Sequence, residues 1–485
     1  MTLEALLTFF GILVAVVAIA RPVQRLSLRL FVPAWRLGAA LLLSLALIVC
    51  RDAPFGVRPP FGWPLDNAMF GLTLGAFAIP VLAALWGWAS WDRASLGGNR
   101  MGRVENVFKA ALREREFDEV ERIVRKNQDR LEQLPANASS VLFNPAMVAA
   151  LVDSHSLVHL ELLANLHFLR SLENRHGAVD VVVRELLHSG VSPLRAAVVS
   201  KYGGLEHLTY SASERDLMEK TFQNPEWYFE ASAHYPLVIS AVEALRSGKL
   251  DIDYNDVGRD YEADQGISKR CHRPVYLAVK TEVLAIEAAL EKRVDKDFYV
   301  SDLFDVFRAV QERSELHKAV WESPLSNHEF PTPYAYLLYT VAVDLDDLSC
   351  QAVQEATHNS SPARAGAPGD VARALALSWS FCVWSIADSP QQVTPEFRTR
   401  IIEQYLVFML KLGWQASEIY FGPVGNVEGL HVWRDLFLRE LKARFWLSDP
   451  LRTAALRNAM NSLDHGKGYV IQGYTWLEKE LFGND

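Results

Sequence analysis

Residues 104–127 read VENVFKAALREREFDEVERIVRKN, and this stretch sets the fold class. Val104, Val107, Phe108, Ala111 and Leu112 recur at three- and four-residue intervals, the face of one amphipathic helix. Phe117, Val120, Ile123, Val124 and Leu131 repeat the pattern. Arg115-Glu116 lies between them as the bend of an αα-hairpin.

Working outward toward the C-terminus, the same period continues. Helix starts are marked by a polar residue followed by proline, whose missing N–H costs nothing at the first helical position. Asn144-Pro145, Asn224-Pro225, Ser323-Pro324, Thr332-Pro333 and Thr394-Pro395 fit. Amphipathic runs cover 146–175, 236–247, 275–293, 301–316, 333–343, 371–388, 395–412, 427–447 and 450–463. Only Val181–Val183 and Tyr469–Gln472 offer a short strand. Gly, Ser, Pro and Ala gather toward residue 370. The expected organisation is a helical domain over 101–350, a mobile loop or linker over 351–370, and a C-terminal helical subdomain over 371–485. Paired helices with short loops make the soluble part a helical-hairpin array, with no strict period to name a repeat family.

Toward the N-terminus the composition changes. Three apolar runs occupy about 4–20, 37–50 and 69–91. A spanning helix needs about 20 apolar residues, which the third run meets and the first nearly does. The second is short and needs Trp35 and Arg36 as interfacial anchors, or an extension back through Leu30-Phe31-Val32. The expectation is a mainly α chain: an anchor of three transmembrane helices over 1–92, then a large all-α cytoplasmic domain.

Charge sets the orientation. Residues 1–90 hold six Arg, no Lys and three acids, a net of +3, while the other 43 basic and 55 acidic residues leave 91–485 at −12. The loop after the first run carries Arg21, Arg25, Arg29 and Arg36 without an acid. Basic loops stay on the cytoplasmic side, so the N-terminus is expected outside and everything after Trp91 inside. Residues 22–35 alternate Arg with apolar residues and suit a segment lying on an anionic inner leaflet. The compact anchor and short loops fit a bacterial inner membrane. A rival, signal cleavage after Ala18-Ile19-Ala20, lacks a basic n-region and puts Arg21-Pro22 after the cut.

Several groupings suggest chemistry, each with a plainer alternative. Asp251, Asp253, Asn255 and Glu262 stand at positions 1, 3, 5 and 12 of an EF-hand-like Ca²⁺ loop. Asp256 occupies the turn position that needs Gly, and an acidic loop paired with Lys269, Arg270 and Arg273 is the plainer reading. His155 and His159, i and i+4 on one helix, can both reach a metal, although Ser156 replaces the Glu of a zinc protease. Histidines at a packing boundary are the alternative. Asp344, Asp346 and Asp347 with Glu355 can hold Mg²⁺ or solvate a helix end. Cys50, Cys271, Cys350 and Cys382 form no CxxC pair. No phosphate-binding loop, GxGxxG or GxSxG motif is present. No cofactor is therefore expected, Ca²⁺ or another divalent metal being the exception that the acidic loop leaves open.

Gly71, Gly75 and Ala78 form a small-residue stripe in the third run, with Pro80 beyond it. Such a stripe lets helices approach closely, within one chain or between chains. The spans lack interior ionisable residues, which argues against a transport path. The net charge of −9 argues against a general nucleic-acid binder. Beyond the lipid bilayer, a protein partner or self-association is expected. The leading expectation is a membrane-anchored cytoplasmic helical scaffold or sensor that binds a protein or effector. An oligomeric membrane effector of the stress or phage-defence type, pore-forming or membrane-disrupting, is the second, and a metal-dependent enzyme the third.

Overall fold

The computed structural model describes residues 11, 20–32, 34–52, 65–93, 96, 98–190, 192–203, 210–247, 274–294, 300–316, 333–358, 369–388, 395–412, 427–444, 449–464 and 470–483. Of these, 88% are helical, and no strand occurs among the described residues. The chain divides into two compact units, residues 1–178 and 179–485.

The first unit begins with α1 (Pro22–Phe31), α2 (Ala34–Asp52) and α3 (Leu65–Arg93). Helices α2 and α3 pack as an antiparallel hairpin. Ile48 and Leu47 meet Ala76 at one level, and Arg36 stacks on Trp86 at another. A 3₁₀ turn (Gly98–Arg103) leads to α4 (Val104–Glu114) and α5 (Asp118–Lys126). Their bend falls at Arg115, whose φ of 56° is the left-handed conformation that reverses a chain after a helix. Val104, Val107, Phe108 and Ala111 are buried from α4, and Val120, Ile123 and Val124 from α5.

After a second 3₁₀ turn (Gln128–Gln133) come α6 (Ala136–Leu142), α7 (Pro145–Asp153), α8 (Val158–Leu163) and α9 (Leu166–Ser171). The amphipathic run over 146–175 is therefore several short helices. Two local devices break it. After α7 the Ser156 N–H bonds Leu151 O at 2.8 Å, which closes the helix through His155 at φ 66°. Before α9 the Asn165 side chain accepts from His167 N at 2.9 Å, a new N-cap.

The unit boundary falls inside α10 (Arg175–His188). The second unit continues with α11 (Pro193–Gly203), α12 (Ala212–Lys220), α13 (Pro225–Ala231), α14 (His234–Ser247), α15 (Pro274–Glu291) and α16 (Val300–Leu316). It ends with α17 (Pro333–His358), α18 (Asp370–Ala387), α19 (Pro395–Lys411), α20 (Val427–Arg444), α21 (Pro450–Asp464) and α22 (Val470–Phe482). Proline opens α15, α17, α19 and α21. One aromatic core joins α18, α19 and α20, where the Trp379 ring meets Tyr405 and Phe408 at centroid distances of 4.9 and 5.2 Å.

Two expectations are corrected, and a third stands only in part. Val181–Val183 lies in α10 and Val470–Gln472 in α22, so neither forms a strand. In α10, Val182 and Val183 are buried on a helical face together with Val179, Leu186 and Leu187. Residues 351–358 of the expected linker are the last two turns of α17, with Ala352 and Val353 buried. Among the described residues, one helix, Phe70–Arg93, is long and apolar enough to cross a membrane. The second run is helical, but its apolar part is the shorter Gly38–Cys50. Of the first run only Gly11 and Ala20 fall within the described residues, so three spans are not established.

Candidate functional site

In the first unit, three elements converge on one polar cluster. Helix α1 is two-faced: Val23, Ser27, Leu30 and Phe31 are buried, whereas Arg21, Arg25 and Arg29 are exposed. Ser27 therefore points inward among apolar neighbours and needs a partner. It donates to Glu119 Oε1 of α5 and accepts from Trp91 Nε1 of α3 at 3.2 Å. Glu119 is in turn held by Arg122, one helical turn later, through Nε to Oε2 at 2.9 Å. Arg122 Nη1 donates to Trp91 O at 2.6 Å, and its guanidinium lies 4.8 Å from the Trp91 ring centroid. A paired charge with its hydrogen-bonding capacity taken up is the form in which ions are tolerated in a protein interior.

The cluster extends along the chain that leaves α3. Lys126 donates to Asp92 O, Leu96 N donates to Asn127 Oδ1 at 2.6 Å, and Arg130 Nη1 donates to Leu96 O at 2.7 Å. Helix α5 and the turn after it thus grip the end of the apolar helix α3. Among the described residues, sequence reading missed Ser27, Trp91, Glu119 and Arg122. Their signal was the i, i+3 pair Glu119/Arg122 standing on a helix beside a chain end carrying Trp.

Outside this cluster, the hairpin exposes Leu42, Leu43, Val49, Phe70, Leu74, Leu82, Leu85 and Trp88. Exposed apolar surface this extensive marks contact with lipid or another protein. The Arg36 guanidinium stacks on Trp35 and Trp86, 5.3 and 4.8 Å from their ring centroids. Gly75 faces α2, where an added Cβ would lie 3.5 Å from Leu47 Cδ1. Gly71 is exposed, Ala78 half-buried and Pro80 buried within α3.

His155 and His159 do not share a helix: the first sits in the turn after α7 and the second in α8. His159 is buried, with Nε2 at 2.9 Å from Leu142 O and its ring against Phe143. Burial lowers its pKa from 6.5 to about 4, so the ring is neutral. Asp251, Asp253, Asn255 and Glu262 lie outside the described residues, as does Cys271. Among the described residues, no three His, Cys, Asp or Glu side chains are grouped to hold a metal ion.

The second unit has its own buried charges. Lys280 of α15 pairs with Asp344 of α17, both buried. The Lys280 ammonium also lies 4.4 Å from the Tyr202 ring centroid. Asp346 accepts from Lys411 at 3.0 Å, so the acids of α17 serve helix packing. Burial pushes Asp344 up to about 6 despite Lys280, and pushes Glu282 well above the usual carboxylate range despite the hydroxyl that Tyr228 donates. Burial, with Asp346 beside it, raises the Cys350 thiol to about 12, which leaves it unreactive at neutral pH. In the aromatic segment, Phe222, Trp227 and Tyr228 are core residues, while Phe229 and Tyr235 are exposed.

No protein-family model, curated protein or solved structure matches the chain. The reading of the site therefore rests on its geometry. That geometry ties an exposed apolar hairpin to a helical body through a paired charge, the buried Glu119 with the half-buried Arg122.

Proposed function

We propose that the chain is a membrane-anchored helical scaffold or sensor that binds a protein partner at the inner face of a bacterial membrane. One observation carries this reading. Helix α1 packs on α4 and α5 while the apolar hairpin α2–α3 leaves and returns beside it. The segments before α2 and after α3 therefore share one side of any bilayer the hairpin enters. Arg21, Arg25 and Arg29 on α1, and Arg93 and Arg103 after the span, make that side basic and hence cytoplasmic. Helix α2 has 19 residues and rises about 28 Å, near the thickness of the hydrocarbon core. The arrayed helices of the second unit offer an extended surface for a partner.

The test has two steps. Alkaline carbonate should leave the protein in the membrane pellet, and a C-terminal reporter should be active on the cytoplasmic side only. Native mass spectrometry of the full-length protein in detergent should then give a monomer or dimer carrying a stoichiometric protein. Extraction by carbonate would overturn the anchor. A ring-sized homo-oligomer without a partner would favour the oligomeric effector. The exposure of Gly71 favours that second reading, whereas the use of Gly75 against Leu47 within the chain counts against it.

A further inference from the structure

We infer that α1 is a docking helix for anionic phospholipid headgroups, which it takes on the stripe Arg21, Arg25 and Arg29. This rests on the membrane reading above and adds the lipid class and the receiving face. Arg25 and Arg29, four apart, stack on one side of α1, and Arg21 is the N-cap residue that precedes its first turn. All three are exposed, while Val23, Ser27, Leu30 and Phe31 fasten the other face to the protein. The stripe cannot turn inward without breaking the Ser27 contacts with Glu119 and Trp91.

Two of the three also lack counter-charge. Among the described residues, Arg25 and Arg29 have no ion pair. Arg21 approaches Glu116 at 3.8 Å but stays 63% exposed. Like charges four apart repel modestly, and anions gathered around the stripe relieve that repulsion. Its position selects which anions. Just beyond α1, Trp35 and Arg36 stand in the first turn of α2, and exposed Trp35 and Trp86 flank the Arg36 guanidinium. Tryptophan belts settle at the headgroup level of a bilayer. The stripe thus stands where phosphodiesters are dense, and the guanidinium fork matches a phosphate bidentately.

The experiment uses full-length protein in nanodiscs of phosphatidylcholine, with or without about 30% phosphatidylglycerol. Hydrogen exchange is read over residues 21–31. Each Arg near an anionic surface is worth about a fivefold preference, so three give up to about a hundredfold. Slower exchange of α1 in the anionic discs is expected, lost in the triple variant Arg21→Gln, Arg25→Gln, Arg29→Gln and largely kept when the same three become Lys. Equal exchange in the two discs, with the hairpin still protected, would overturn the inference while leaving the anchor intact. Slowing by inorganic phosphate or polyglutamate in phosphatidylcholine discs, without a response to phosphatidylglycerol, would overturn it in favour of a soluble anion or an acidic protein. Failure of the wild type to stay in any disc would overturn the membrane reading itself.

Discussion

Helices α3 and α15 are both dominated by apolar residues, yet their surroundings are opposite. Helix α3 has no ionisable residue between Phe70 and Trp91, and it exposes Phe70, Leu74, Leu82, Leu85 and Trp88. Helix α15 carries Lys280, Glu282 and Glu287, and it buries every residue except Glu287 and Glu291. The helix with the charges is the one hidden, and the helix without them is the one left bare. In water this is the wrong way round, because burying charge costs and covering apolar surface gains. It becomes consistent once partners are counted. Lys280 has Asp344 and the Tyr202 ring, Glu282 has Tyr228, and the bare face of α3 has the lipid we propose. Apolar content identifies a helix that avoids water, and only the neighbours tell whether protein or lipid supplies the shelter.

The largest effect should come from separating the buried pair. Lys280→Met leaves Asp344 buried without its cation, and breaking such pairs costs about 3–5 kcal/mol. The double variant Lys280→Met with Asp344→Leu should recover to within about 1 kcal/mol of the wild type, because no lone charge remains. Denaturant unfolding followed by hydrogen exchange in α15 and α17 reads both. If the single variant is no worse than the double, the charges of α15 do not depend on one another and the comparison fails.

The bare face of α3 is sharpened by pairing two exposed leucines. Leu82 lies mid-way along the apolar helix, and Leu451 lies on α21 with 79% of its surface exposed. An Arg at the centre of a spanning helix costs about 2.5–3.5 kcal/mol on insertion, whereas a solvent-face substitution usually stays within about 0.5 kcal/mol. Leu82→Arg should therefore lower the carbonate-resistant fraction and cellular abundance, and Leu451→Arg should change neither. Equal tolerance of the two would mean that α3 faces water.

Acid should drive the two units in opposite directions. His159 in the first unit has a folded pKa of about 4, below its usual 6.5. Its stabilising effect is full above pH 6.5 and fades as the pH falls toward 4, a loss of about 2 kcal/mol at pH 5. Asp344 in the second unit has a folded pKa raised to about 6 from the usual 3.8, so the penalty it imposes at neutral pH is relieved as the pH falls. Hydrogen exchange at pH 5 and 7 should show α8 loosening while α15 and α17 tighten. His159→Gln should abolish the first change alone, and loosening of both units together would defeat the contrast.

What the sequence disclosed follows the range of each signal. The αα-hairpin at Arg115, the helices started by Pro145, Pro225, Pro333 and Pro395, and the apolar run over 70–91 depend on neighbours within a few turns and are legible in the letters, while Ser323-Pro324 lies outside the described residues. The short helices over 145–171 escaped because two side-chain and backbone closures, at Ser156 and Asn165, outweigh an amphipathic period. The junction escaped for a different reason. Ser27 and Glu119 are 92 residues apart, and neither belongs to a motif. The pairing of Asp344 with Lys280 is equally silent, since an acidic triplet at 344–347 reads as a solvated helix end until α15 is laid against it. The His155/His159 spacing misled because i, i+4 carries meaning only inside one helix, and the helix ends between them.

The smallest effect concerns the place where the two environments meet. Ser27→Ala removes the hydroxyl that links Glu119 to Trp91, and leaves Glu119 with Arg122 alone. Arg122 still neutralises the charge, so the loss should be that of the hydroxyl's hydrogen bonds with Glu119, Trp91 and Arg122, about 1–2 kcal/mol in all. Because the contact holds α1 to α5, the cost should be local. Exchange over 22–31 should rise while α2 and α3 keep their protection and the α15–α17 region is unmoved. Glu119→Gln offers the complementary case: it keeps an acceptor for Ser27 but leaves the Arg122 guanidinium uncompensated beside Trp91, so it should cost more than Ser27→Ala. If Glu119→Gln proved the milder change, the junction would be held by packing of Val23 and Phe31 rather than by its paired charges, and the end of α3 would be joined to the helical body as α15 is to its neighbours only in appearance.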